Sequence, residues 1–179
     1  MAAGHIIQRL FMTAVAAMMV CPALSAGPKA IGAEFAFTGI NINYQHTADI
    51  MSFHDISLGI DFCKVLDGES RTPGVRFNYI KDYIIAAWIR TDYTARCFAG
   101  PGVAIGYLQD RDKGFGAMLG ICGNVGAEFC FRVPVCLSVS LMPVLAGHLA
   151  SRKGDAGLDI YNNGILQLLS PRVGIKYSF

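Results

Sequence analysis

The sequence predicts an all-β chain: a closed, antiparallel, up-and-down transmembrane β-barrel of eight strands, preceded by a signal-peptide helix. Three observations predict it. First, the 179 residues are 53% hydrophobic, with a mean hydropathy of +0.42. Yet beyond the amino-terminal segment no run approaches the ~20 apolar residues of a membrane helix, and the longest patch, residues 84–89, is far too short. Second, segment after segment alternates apolar with small or polar residues at a period of two, which puts them on opposite faces of a strand. Third, the 20 glycines suit tight turns and narrow barrel interiors better than helices. A chain this apolar without a spanning helix is a barrel facing lipid or an unusually apolar soluble β-protein.

Residues 1–26 read as the signal peptide. Arg9 and the amino terminus supply positive charge, residues 10–20 the apolar core, Pro22 a break, and Leu24-Ser25-Ala26 a small-residue cleavage site. Cys21 stands where a lipid-modified cysteine would, but Val20 occupies the position that such signals give to Gly, Ala or Ser. A short buried helix of a cytosolic domain is the alternative. Cleavage leaves residues 27–179 as the barrel domain.

Residues 31–44 alternate, with Ile31, Ala33, Phe35 and Phe37 opposed to Gly32, Glu34, Ala36 and Thr38. The phase slips at Gly39, after which Ile40, Ile42 and Tyr44 are apolar; such a slip predicts a β-bulge. Residues 53–64 set His54, Ile56, Leu58, Ile60 and Phe62 against Asp55, Ser57, Gly59, Asp61 and Cys63. Residues 67–74 have loop chemistry. Val75, Phe77 and Tyr79 then oppose Arg76 and Asn78. Residues 79–93 show no clean period; Tyr79, Tyr83, Trp88 and Tyr93 there suit a membrane–water interface or a scattered core.

From residue 95 the alternation returns. Cys97, Ala99, Pro101, Val103, Ile105 and Tyr107 oppose Arg96, Gly100, Gly102, Ala104 and Gly106. Residues 110–114 are a short charged turn. Residues 115–131 form the longest alternation, with Ile121, Val125 and Phe129 on the apolar face and Asn124, Gly126 and Glu128 opposite. At ~3.3 Å per residue this strand is long enough to cross a bilayer with tilt. Arg132 and Val133 are a tight connection. Val135, Leu137, Val139, Leu141 and Leu145 follow on one face, and residues 151–164 read as a polar loop. That makes about seven strands; the eighth lies between Tyr79 and Tyr93 or comes from dividing the first at Gly39.

The last strand, residues 165–179, carries Leu169, Pro171, Val173, Ile175, Tyr177 and Phe179 on one face and Ser170, Arg172, Gly174, Lys176 and Ser178 on the other. A terminal Phe, an aromatic residue two positions earlier and alternating apolar residues before it resemble the closing signature of Gram-negative outer-membrane β-barrels. The small OmpX- and OmpA-type transmembrane domains are the members this chain looks like. The resemblance implies that Ile175, Tyr177 and Phe179 are the signal read by the barrel assembly machinery. It also implies outer-membrane lipid as the surrounding partner, both termini on the periplasmic side, and a structural or adhesive role through external loops with an unidentified surface ligand. In such a barrel the charged face turns inward, so Glu34, Asp55, Asp61 and Glu128 are expected to pair in the lumen with Arg76, Arg96, Arg172 and Lys176; a soluble fold would leave them in water.

No chemistry is written plainly in the chain. Net charge is +2 without a basic run, which gives nucleic-acid binding no support. There is no C-x-x-C pair, no phosphate loop ending in Lys-Ser/Thr and no G-x-S-x-G elbow, so no metal, cofactor or catalytic residue is assigned. Cys130 and Cys136 flank a tight turn as near neighbours; with Cys63, Cys97 and Cys122 they leave an odd number of cysteines after cleavage. Three alternatives remain. His148 with Ser151 and Asp155 would make a rim-active esterase acting on lipid A or phospholipid. A soluble lipocalin-like carrier would turn the apolar face inward. A pore is disfavoured because eight strands enclose little more than their own side chains.

Overall fold

The computed structural model describes residues 28–36, 38–62, 73–110, 114–152, 155–166 and 171–179. The expected leader at 1–26 and residues 67–72 of the expected loop lie outside them. The described chain is almost entirely strand. Its elements are β1 (Lys29–Ala36), β2 (Gly39–Asp49), β3 (Ser52–Asp61), β4 (Gly74–Ile89), β5 (Tyr93–Gln109), β6 (Phe115–Phe131), β7 (Val135–Leu141), β8 (Val144–Arg152), β9 (Asp155–Ile160), a short helix α1 (Asn162–Leu166), and β10 (Arg172–Ser178). No described helix is long and apolar enough to cross a membrane.

The ten strands make eight staves. β1 through β6 pair in succession, each antiparallel to the next. β7 and β8 are one stave. Both pair with β6 in a single register, Val125 opposite Leu141 and Cys122 opposite Val144. Pro143 interrupts the ladder because it has no N–H to donate, although its carbonyl still accepts from Gly123 N–H at 3.0 Å. β9 and β10 form the eighth stave. β9 pairs with β8, while β10 pairs with β7 and with β1 and closes the ring.

The eighth stave is not continuous. From Gly147 to Ser140 is a step of seven residues, while their partners Ile160 and Arg172 are twelve apart, so five residues are in excess. α1 lies in that excess. It is anchored by Tyr161, whose side chain is fully buried and whose N–H donates to Ala146 O at 2.8 Å. A Cβ at Gly164 would overlap the Val144 carbonyl, which lets the helix lie directly on the wall.

Three expectations need correction. The slip at Gly39 is not a bulge: the chain reverses between β1 and β2, and this division supplies the eighth stave. Residues 79–93 hold no separate strand. They are the second half of β4, a turn in which Arg90 N–H donates to Tyr93 O at 2.9 Å, and the start of β5. The period is lost there because a real bulge shifts the β4–β5 register between Ile84 and Ala86. Finally, the described residues of 151–164 are the end of β8, β9 and the start of α1 rather than a loop, and the closing strand begins at Arg172, not at Ile165.

The polarity is inverted relative to a water-soluble protein. On β6, Ile121, Val125 and Phe129 are 63%, 48% and 44% exposed, whereas Asn124 and Glu128 between them are 6% and 1% exposed. The same alternation holds along β3, where Leu58 and Ile60 face out and Asp55, Ser57 and Asp61 face in, and along β10, where Val173, Ile175 and Tyr177 face out and Arg172 and Lys176 face in. Burying this apolar surface from water is the driving force that such a wall leaves unspent at ~25 cal/mol per Å², and that surface belongs in an apolar medium.

Candidate functional site

The interior is the place where this sequence concentrates its chemistry. Glu34 (β1), Asp55 and Asp61 (β3), Arg76 (β4), Glu128 (β6), Arg172 and Lys176 (β10) are all buried, and Arg96 (β5) is half-buried. Arg172 is the hub of one group. Its Nη1 lies 3.1 Å from Glu34 Oε2, and Nη2 donates to Asn124 Oδ1 at 2.9 Å and Ser140 Oγ at 3.1 Å. Lys176 is the hub of a second. Its Nζ lies 3.3 Å from Glu128 Oε1 and 3.5 Å from Asp55 Oδ2, and it donates to Gln45 Oε1 at 3.3 Å. Arg96 completes that group: its Nε donates to Glu128 Oε2 at 2.6 Å, its Nη2 pairs with the same oxygen, and its guanidinium lies over the Phe53 ring at 4.9 Å. Arg76 and Asp61 are a separate pair at 3.8 Å.

Asn43 joins the two groups, donating from one amide nitrogen to Glu34 Oε1 at 3.1 Å and to Asp55 Oδ2 at 3.3 Å. Buried charges are tolerated only when paired and hydrogen-bonded, and the cross-linked arrangement pairs them from seven strands at once, β1, β2, β3, β5, β6, β7 and β10. Asp82 is the member that the sequence pattern did not disclose. It is fully buried on β4 and accepts from Asn124 Nδ2 at 2.9 Å. Its signal was present in the run Arg76, Asn78, Ile80, Asp82 at a period of two, but the nearby bulge and the outward Lys81 masked it.

Small residues make room for these large ones. On β5, Gly100 pairs with Asn124, and a Cβ there would overlap the Lys81 carbonyl and stand 2.6 Å from Asp82 Cα. On β10, a Cβ at Gly174 would stand 2.6 Å from Ser138 Oγ and 2.9 Å from Glu34 Cγ.

The interior is not ionic throughout. Ile80, Ala104, Leu108, Met118, Cys122, Met142, Val144, Ala146 and Tyr161 form a buried apolar cluster on the β4–β5–β6–β8 side. Leu108 and Met118 lie near the ends of their strands farthest from the Lys29–Phe179 seam, so the cluster fills the far end of the bore. Gly100, Gly102, Ala104 and Gly106 leave the inner face of β5 nearly free of side chains, but Leu108, the next residue on that face, is fully buried and fills this end.

His148 belongs to this far region. It is fully buried, its Nε2 lies 3.0 Å from Leu108 O, and its ring lies 6.3 Å from that of Tyr161. That places it among packed side chains rather than on an open rim. The side chains of Ser151 and Asp155 lie outside the described residues.

At the opposite end, a cavity of about 700 Å³ opens beneath the Arg96–Glu128 layer, lined on its inner side by Gln45, Thr47, Thr94, Arg96 and Cys136. Cys130 and Cys136, directly opposed on β6 and β7, form a disulfide at its edge. Glu128 and the two sulfurs lie within 4.8 Å of one another. A disulfide offers no thiolate, however, and the Glu128 oxygens are taken by Arg96 and Lys176, so this is not a metal site. Cys97 and Cys122 are free, and Cys63 lies outside the described residues.

The carboxy-terminal residues form the closing seam. Ile175 pairs with Ala33 and Leu137, Tyr177 with Ile31 and Val135, and all three apolar residues of the expected signature, Phe179 included, are exposed on the outer wall. Phe179 N–H donates to Lys29 O at 2.8 Å, and Lys29 N–H donates to Phe179 O at 3.0 Å. Tyr83, Trp88 and Tyr93 are exposed on the outside near the same end, and Tyr79 higher on the wall.

Fold and interior together define a class: a closed eight-stranded antiparallel barrel with apolar residues outside and an ion-paired, filled lumen. No family model matches the chain, and no curated protein matches it. Among solved structures, the crystal structure of the N-terminal beta-barrel domain of Pseudomonas aeruginosa OprF is similar to 85% of this chain and 96% of that one, with a TM-score of 0.45 and 12% identity.

Proposed function

We propose that the chain is a non-catalytic barrel of a Gram-negative outer membrane, exported by residues 1–26, with a structural, adhesive or surface-interaction role through its external connections. One observation carries this reading: the closed wall presents its large apolar side chains outward while its charges are paired within. Water on both sides would make that arrangement unfavourable, whereas lipid outside makes it the expected one. Ring closure at Lys29 and Phe179 supports placing that end on the periplasmic side, with Ile175, Tyr177 and Phe179 as the signal for the assembly machinery. The far end then faces outward and carries the longest connection between consecutive strands, from Asp61 to Gly74. The paired charges and the apolar cluster support a structural interior over a conducting one.

The buried setting of His148 argues against an esterase at the rim. The carrier reading requires the apolar face inside, contrary to the exposure of Ile121, Val125 and Phe129. The test is electrophoresis of the envelope-extracted protein with and without boiling, together with carbonate extraction. A folded outer-membrane barrel migrates differently before and after heating and stays with the membrane; a species indifferent to heat and released by carbonate ends this reading.

A further inference from the structure

Among the described strand side chains, every Lys, Arg and His faces the interior except four. Lys29, His46, His54 and Lys81 lie on the outer wall, and they form one row. Lys29 is the ladder partner of His46, His46 of His54, and His54 of Lys81, across β1, β2, β3 and β4. Their inward neighbours on the same strands, Ala30, Gln45, Asp55 and Asp82, are buried, which fixes the four as outward. Directly opposed residues on adjacent strands stand about 5 Å apart, so the row spans about 15 Å of wall. It starts at the Lys29–Phe179 seam and ends at Lys81, halfway along β4.

The surroundings show what such a row can hold. Next above it on the outer face runs an apolar and aromatic row, Ile31, Tyr44, Ile56 and Tyr79, again successive ladder partners. Tyr79 Oη lies 2.8 Å from His54 Nδ1, and the two rings stack at 5.6 Å. Lys81 Nζ lies 5.5 Å from the centre of the Tyr83 ring, one outward position closer to the seam, so the side chain bends toward that end. Among the described residues no carboxylate pairs with His54 or Lys81. A lysine on the lipid face of a barrel costs about 2–4 kcal/mol at the midplane and less toward the interface. An anion with an apolar tail offsets that cost.

We infer that this row is a headgroup site for an anionic phospholipid of the leaflet at the seam end. Its phosphate lies against Lys81 and the two imidazoles, with Lys29 closing the row at the seam, and an acyl chain runs along Ile31, Tyr44 and Ile56. The site is set in an apolar wall, which selects an occupant carrying both a negative charge and a long hydrocarbon chain; an acidic peptide supplies only the first. This inference rests on the outer-membrane reading.

The test uses the full folded chain in bilayer nanodiscs of phosphatidylcholine with graded phosphatidylglycerol, followed by native mass spectrometry of the lipid retained on release. Wild type is expected to retain phosphatidylglycerol over phosphatidylcholine about tenfold beyond its mole fraction. The Lys29→Gln/Lys81→Gln double variant is expected to fall to parity, His46→Gln/His54→Gln to fall part of the way, and Arg132→Gln in the adjoining turn to keep the wild-type preference. Parity in wild type overturns the site. So does a preference that survives the double lysine variant, or one lost with Arg132→Gln, which would put the headgroup at the turn. Dimers that disappear with Lys81→Gln, without lipid selectivity, would give the row to a second copy of the chain and also overturn it. Failure to enter nanodiscs, with the protein soluble without detergent, is seen before any lipid is counted and sinks the membrane reading instead.

Discussion

Replacing Arg172 by Met asks whether the lumen is a dry ionic packing or a hydrated channel. The guanidinium is buried and holds Glu34, Asn124 and Ser140 at 3.1, 2.9 and 3.1 Å. Met fills much of the volume but leaves Glu34 buried with Asn43 Nδ2 as its remaining donor among the described residues. Breaking a buried pair from one side costs about 3–5 kcal/mol, whereas a hydrated pair contributes about 0–1 kcal/mol. The structure therefore predicts a loss of about 4 kcal/mol for Arg172→Met. With a urea slope of about 2 kcal/mol per M, the midpoint falls by about 2 M. The assay is urea unfolding in detergent micelles followed by the fluorescence of Trp88, the single tryptophan. Glu34→Gln alone is expected to cost about 3 kcal/mol, and the double variant to recover at least about 2 kcal/mol relative to the sum of the singles, as contacting residues in one network do. A midpoint shift under about 0.5 M for Arg172→Met would refute the dry-lumen reasoning and reopen the question of conduction.

Other consequences can be checked in the same system. Ile121→Arg, on the outer face near the middle of β6, is expected to cost about 2–4 kcal/mol in lipid, measured by urea unfolding in vesicles; no loss would mean that this face does not meet acyl chains. Gly100→Val is expected to lose about 1–3 kcal/mol or more by forcing the Lys81 carbonyl and Asp82 apart, whereas Gly157→Ala, with nothing within 4 Å of the added carbon, should lie within about 0.5 kcal/mol of wild type. Replacing Cys130 and Cys136 by Ser opens a loop of sequence separation 6, which chain entropy values at about 2 kcal/mol; a shift of that size in oxidised but not in reduced protein, by thermal unfolding, is the expected result.

Much of the fold was legible because alternation is strict wherever both faces of a strand are under constraint. β6 shows it best: 17 residues in one phase, with lipid-type residues opposed to Asn124 and Glu128. Legibility failed where the backbone departs from that period. The turn between β1 and β2 takes so few residues that it reads as a one-residue slip. The bulge at Ile85 inverts the pattern along β4 and concealed Asp82. The insertion between β9 and β10 carries polar and glycine residues that resemble a loop, although β9 is laddered to β8. The charged members of the interior were legible because each sits opposite an unmistakably apolar face. The apolar part of the interior was not, since Ile80, Leu108 and Met118 look the same whether they face tails or bore. Partner choice was not legible either: which acid meets Arg172 depends on how strands remote in sequence come together, and Glu34 is brought there by the closing seam.

The excess of five residues between β9 and β10 separates the last stave into two separately laddered pieces, β9 on β8 and β10 on β7 and β1. Because the spacer absorbs any mismatch, the ladder from Arg172 to Ser178 keeps its phase with β1 whatever the spacing above it. Peptides of different length can therefore be spliced in beside α1 without slipping the rows that bring Arg172 and Lys176 to their partners. For anyone wishing to display an epitope or a probe on this cylinder, that joint is the natural place to cut.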